Sequence, residues 1–190
     1  MNAPLRKPMS LEEFLAWEER QNTKYEFDGF GPVAMAGGTD AHAAIQLNLA
    51  IAVGGRLRGG PCRFRGSDLQ IQVAGSVRYP DGFVTCTPVP PGTTLIRDPV
   101  VIFEVLSPST AGRDRILKNR EYRETPSVRR YVILEQDIIS ATVFSREGGD
   151  WVGRLLGEED TLAMPEIGIA VPLAELYADL DLSQPSAEDA

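Results

Sequence analysis

A chain of 190 residues and 20.7 kDa, 43% hydrophobic and 24% charged, is long enough to bury a core and has the composition of an ordinary globular protein. No apolar run approaches the roughly 18 residues that a membrane-spanning helix needs, and the opening MNAPLRKPMS lacks the apolar segment of a signal peptide. A net charge of −8 and a pI near 4.8 weigh against a nucleic-acid binder, which usually shows a basic footprint.

In chain order, MSLEEFLAWEERQ predicts a helix: Ser10 and Glu13 have the spacing of a capping box, and Leu11, Phe14, Leu15 and Trp17 form an apolar stripe. KYEFDGFGPVAMAGG alternates around a Gly-rich turn, as a hairpin does. DAHAAIQLNLAIAVGGRL has helical composition, with Asp40 as a candidate cap and Gly54–Gly55 loosening its end. CRFRG, DLQIQVA and VRYPDGFVTC alternate as strands, which puts Asp81 inside a strand, and TPVPPGTTLIRDP reads as a Pro/Gly loop. Val100 to Leu106 predicts a fully buried strand, Ser107 to Gly112 a turn and Arg113 to Glu124 a helix. SVRRYVILEQ, ISATVFSRE and DWVGRLLGE predict a three-stranded meander with EGGD as one turn. IAVPLAELYADL closes with a short helix, and residues 183–190 predict a disordered tail. With no repeat and no linker, residues 1–182 predict one α/β (α+β mixed) domain, helices flanking a mixed central sheet.

Two cysteines, Cys62 and Cys86, form no CxxC pair and predict no disulfide framework, which makes the cytoplasm the expected compartment. Of 19 basic residues only Lys7, Lys24 and Lys118 are lysines, which leaves 16 arginines. Several cluster, among them Arg56, Arg58, Arg63 and Arg65, and further on Arg113, Arg115, Arg120 and Arg123. Such clusters serve phosphate contacts or simply solvate a helix face.

Glu104 is the anomaly. It lies within the apolar run VVIFEVL, and a buried carboxylate without a partner costs several kcal/mol or shifts its pKa. Asp81 precedes it by 104 minus 81, or 23, residues, enough for a Pro-rich connection after which the two strands can pair. Two carboxylates would then meet on the sheet. Together with a main-chain carbonyl and waters they suit Mg²⁺ or Mn²⁺, and phosphoryl chemistry is the usual work of such a site.

YPD followed by FEV resembles the PD-(D/E)XK nuclease superfamily. More closely, KYEFDGF, MAGGTDAHAAI, SDLQIQV, YPDGFV, VIFEVLSPST and DRILKNREYRE resemble the prokaryotic putative restriction endonuclease family within it, from about Leu11 to Leu180. The resemblance implies a restriction-endonuclease-like core and a Mg²⁺-dependent endonuclease acting on DNA. It implies Asp81 and Glu104 as metal ligands and catalytic residues, with the Val105 carbonyl as a further ligand. Two residues after Glu104, where the superfamily places its lysine, this chain has Leu106. Lys118, 14 residues on, matches a family lysine and is the candidate to orient or deprotonate the attacking water or to stabilise the pentavalent transition state.

The other candidates remain two-sided. Glu26 matches a family position near the metal, or pairs with an arginine. His42, the only histidine, matches the family pattern, or caps and packs at a helix start. Asp68 supports the site or caps a turn, and Ser107 and Ser109 shape the turn before the helix. Two rivals stand beside the nuclease: a silent nuclease-like fold that binds nucleic acid or protein, and a structural pairing of Glu104 with Arg78 or Arg115. A homodimer, with the meander's edge free to pair with a second copy, is expected of a nuclease that cuts both strands.

Overall fold

The computed structural model describes residues 8–35, 37–106 and 113–182. The expected turn at Ser107–Gly112 and the expected tail at 183–190 lie outside the described residues. Helix α1 (Leu11–Glu18) starts at its capping box: the Ser10 hydroxyl accepts from the Glu13 N–H at 3.1 Å, and the Glu13 carboxylate accepts from the Ser10 N–H at 2.7 Å. Its buried Phe14 stacks on Phe27, 5.1 Å between centroids. Phe27 ends β1 (Tyr25–Phe27), which pairs antiparallel with β2 (Pro32–Ala34) as the predicted hairpin.

Helix α2 (Asp40–Arg56) departs from expectation at both ends. Thr39, not Asp40, is the cap, its hydroxyl accepting from the His42 N–H at 3.2 Å. The helix also runs through Gly54 and Gly55, because burial of Ala52 and Val53 just before them holds this stretch down.

Next come β3 (Arg63–Gly66), β4 (Gln70–Val73), β5 (Ser76–Arg78), β6 (Gly82–Thr85), β7 (Leu95–Ile96) and β8 (Val101–Val105). Helix α3 (Arg113–Glu124) has the predicted bounds. The meander follows as β9 (Arg130–Leu134), β10 (Ser140–Glu147) and β11 (Asp150–Gly157). Gly148 (φ 59°) and Gly149 (φ 108°) make its two-residue turn, where a positive φ favours glycine. The chain then adds a hairpin absent from the sequence reading, β12 (Thr161–Met164) and β13 (Ile169–Pro172), before a 3-10 helix at Leu173–Tyr177.

Two larger sheets and the two-stranded β12–β13 sheet stand where a single central sheet was expected. One larger sheet has the order β11-β10-β9-β8-β6-β3, with β8 and β9 parallel, and the other the order β2-β1-β5-β4-β7. The chain crosses between them at Tyr79–Pro80–Asp81. Proline has no N–H to give a ladder, so VRYPDGFVTC is two strands, and Asp81 sits in the bend between them rather than in a strand.

Strand β8 is buried along its whole length. Val101, Phe103 and Val105 face the core shared with Ile45, Leu49 and Val53 of α2, while Ile102 faces Phe83, Tyr122 and Tyr131. Alternation puts Glu104 on the Ile102 face. Cys62 and Cys86 each extend the β3–β6 ladder by one place beyond the Arg63–Thr85 pair. They therefore meet across the strands in a disulfide, Cα atoms 3.9 Å apart, where the sequence reading expected none. Among the described residues no helix is long and apolar enough to cross a membrane.

Candidate active site

Antiparallel pairing of β6 with β8 sets Gly82 opposite Phe103. Asp81, one place before Gly82, and Glu104, one place after Phe103, are thereby brought to the same end of the ladder. The Val105 N–H donates to Asp81 Oδ2 at 2.6 Å and ties the bend to β8. Asp81 Oδ1 accepts from the Gln46 amide at 2.6 Å and lies 3.3 Å from His42 Nε2. Both partners come from the first turns of α2, so His42 stands beside Asp81 in the candidate site.

Glu104 finds its partners on α3. The Tyr122 hydroxyl donates to Glu104 Oε1 at 2.6 Å, and the Lys118 ammonium stands 3.3 Å from the same oxygen. Lys118 Nζ is also 3.3 Å from Glu26 Oε1. Behind it, Arg78, 1% exposed, bonds Glu26 at 3.0 Å and grips Glu121 through Nε and Nη2, each at 2.8 Å. The Ser76 hydroxyl completes Glu121, and the Tyr79 N–H donates to Glu26. Glu104 does not pair with Arg78, which bonds two other carboxylates; the Arg115 side chain, the other alternative, lies outside what is described. For Glu26 the arginine pairing is what the structure has. Asp68 pairs at the surface with Lys24 and takes no part in the site.

Electrostatics explain why these groups stand together. Burial above all raises the Glu104 carboxyl to about 7, helped by the charges of Asp81 and Glu26 and opposed by Lys118 and the Tyr122 hydroxyl. Hydrogen bonding to Asp81 is the main cause that raises His42 above its usual value, with a bond to the Val105 backbone and the charge of Glu104 adding to it. Burial pushes the Tyr122 hydroxyl well above the usual phenol value and keeps it a donor. Among the described residues, four carboxyl groups (Glu26, Asp81, Glu104, Glu121) face two permanent cations (Arg78, Lys118), an excess of two acidic groups.

That excess and the hard oxygen donors match a divalent cation. No group of three His, Cys, Asp or Glu side chains among the described residues is arranged to hold a metal ion. Mg²⁺ keeps most of its waters, however, and takes one or two carboxylates, so Asp81 and Glu104 are the residues that could hold one.

Sequence reasoning missed Gln46, Tyr122 and Glu121. The last two had a signal: at three and four residues beyond Lys118 they share its helix face. Gln46 had none, because only the fold brings α2 to the bend.

Comparisons with known proteins agree with this architecture. The "Uncharacterized protein slr1290" of Synechocystis sp. is 34% identical over 183 residues, covering 94% of this chain and 96% of the relative. The "Uncharacterized protein sll1609" of the same organism is 26% identical over 159 residues, covering 80% and 90%. The fold is similar to the crystal structure of a putative nuclease belonging to DUF820 from Anabaena variabilis, with a TM-score of 0.74, 15% identity, and 90% and 98% of the two chains covered. The model of the Uma2 family, described as "Putative restriction endonuclease", matches residues 11–174, and the chain belongs to that family.

Proposed function

We propose that the chain is a Mg²⁺- or Mn²⁺-dependent endonuclease that hydrolyses phosphodiester bonds in DNA. Asp81 and Glu104 would hold the ion, with the Val105 carbonyl as a further oxygen ligand. What carries the reading is the meeting of Asp81 and Glu104 at one end of the β6–β8 ladder, with the Lys118 ammonium 3.3 Å from Glu104. The words "restriction endonuclease" and "nuclease" attached to the family and to the Anabaena protein point the same way.

When bound, the ion supplies Lewis-acid stabilisation of the phosphate and an acidified water. The chain's own residues supply position and charge. Gln46 and the Val105 N–H hold Asp81 in place before any substrate arrives, so little reorganisation is needed. Lys118 orients the attacking water and offers positive charge to the oxygens of the pentavalent transition state. Glu26 is a positioning residue: held by Arg78 and the Tyr79 N–H, it fixes Lys118 from behind.

Plasmid nicking at low salt with Mn²⁺ or Mg²⁺, comparing wild type with Asp81→Ala and Lys118→Ala, tests the reading. Metal-dependent nicking that both substitutions abolish supports it, and nicking that survives Asp81→Ala refutes it. One observation favours a second reading, a catalytically silent module that binds nucleic acid or protein. Lys118 is already engaged by two carboxylates, and Asp81 by Gln46, His42 and the Val105 N–H. Mg²⁺ binding without turnover would select it.

A further inference from the structure

Helix α2 carries no Asp, Glu, Lys or Arg from Ala41 to Gly55, yet the fold covers only one of its faces. Ile45, Leu49, Ala52 and Val53 are buried. The opposite face presents Leu47, 60% exposed, and Ile51, 62% exposed, with Ala43 and Ala50 exposed beside them. Surface helices ordinarily turn charged and polar residues outward, and a helix that is apolar all round is ordinarily covered all round. Charge appears only at the two ends. Asp40, exposed, opens the helix, and Arg58, exposed, follows the C-cap Leu57. They lie 58 minus 40, or eighteen, residues apart: the helix ends at Arg56, and its axis continued through the C-cap turn would set Asp40 and Arg58 about 27 Å apart on the side that carries Leu47 and Ile51.

We propose that this face is a self-complementary dimer interface, with α2 of one copy antiparallel to α2 of a second copy. The two-fold axis passes between Leu47 and Ala50, the middle of the exposed apolar stretch. Antiparallel packing sets Asp40 beside the partner's Arg58 at both ends while Leu47 and Ile51 interdigitate at the centre. A parallel arrangement would put acid on acid and base on base. A pattern whose two ends complement one another about its own midpoint is what a two-fold contact requires and what an unrelated partner does not. Residues 1–7 and 183–190, MNAPLRK and SQPSAEDA, have too little apolar surface to cover two large side chains. The proposal is independent of the nuclease reading.

Sedimentation velocity of the full chain, over about a hundredfold range of concentration, tests it. The wild type is expected to pass from 20.7 kDa to twice that mass as concentration rises. Leu47→Glu, which would bury a charge at the centre, is expected to weaken association about a hundredfold. Asp40→Arg and Arg58→Asp should each weaken it about tenfold, and the double charge reversal should restore it. All these positions are exposed, so unchanged circular-dichroism melting curves will separate lost association from lost folding. A wild type that stays at 20.7 kDa leaves the face to a different protein and overturns the proposal. A Leu47→Glu variant that associates like wild type, or a double reversal that fails to restore association, overturns it too.

Discussion

The Tyr122 hydroxyl donates a 2.6 Å hydrogen bond to Glu104 inside the core, and burial keeps that hydroxyl protonated. Because the bond favours the charged carboxylate, Tyr122→Phe should push Glu104 above its value of about 7. It should also cost about 1.5–3 kcal/mol of stability above neutral pH, where the carboxylate is charged. Carboxyl titration by infrared or NMR spectroscopy checks the first, and urea unfolding the second. A Glu104 titration that does not move in the variant rules the relationship out.

The raised carboxyl makes stability depend on pH in an unusual direction. Unfolded, Glu104 releases its proton near 4.5, whereas folded it keeps it to about 7. The folded state therefore binds more protons across that window, so its contribution is full below 4.5 and is lost as pH climbs to about 7. The loss is on the order of 3 kcal/mol. His42, also raised, has the same sign and continues the decline from 6.5 upward. Glu104→Gln should flatten the lower window and unfold at higher urea than wild type above neutral pH, as removal of a strained functional carboxylate often does. Urea curves across the range, in a chelator, decide it; a variant that keeps the wild-type slope is the adverse result.

Binding of Mg²⁺ should displace the Glu104 proton. Glu104 keeps its proton to about 7, so metal uptake at or below that pH must release a proton from it. Titration calorimetry in two buffers of different ionisation enthalpy measures the number. Affinity should rise as pH passes 7, and Glu104→Ala should lose it. Binding that is independent of pH would place the ion elsewhere.

Arg78 is the strut of the cluster, pairing with Glu26 on one side and Glu121 on the other while 1% exposed. Arg78→Met leaves Glu121 buried without its cation and Glu26 with Lys118 alone, and should cost about 3–5 kcal/mol, read from denaturant midpoints. A loss below about 1 kcal/mol would mean that water already reaches the pair.

Glu26→Gln separates a metal ligand from a support for Lys118. If Glu26 acts through the lysine, the variant should keep its Mg²⁺ affinity while nicking falls about ten- to a hundredfold. A parallel loss of affinity would return Glu26 to the ligand set.

Much of this was legible where local signals are strong: the Ser10–Glu13 capping box, the first hairpin, the buried β8 and the bounds of α3. The meeting of Asp81 with Glu104 was legible too, from the order of strands and the length between them. What escaped depends on register and distance. Pro80 was read as part of a strand although it ends one, and β7, two residues long, carries no periodicity of its own. The Cys62–Cys86 pair follows from the β3–β6 register, which spacing does not encode. Gln46 reaches Asp81 across 35 residues, a contact that only the packing of α2 creates.

One short helix carries the ammonium, the clasp on Glu104 and the carboxylate that anchors Arg78. Helix α3 holds Lys118, Tyr122 and Glu121 within little more than one turn of its 12 residues, and neither sheet depends on it for its hydrogen-bonded ladders. Loosening of α3 would undo the Lys118, Tyr122 and Glu121 contacts in one step, and with them the buried setting of Glu104 and Arg78, so the candidate site and this part of the core open as one unit.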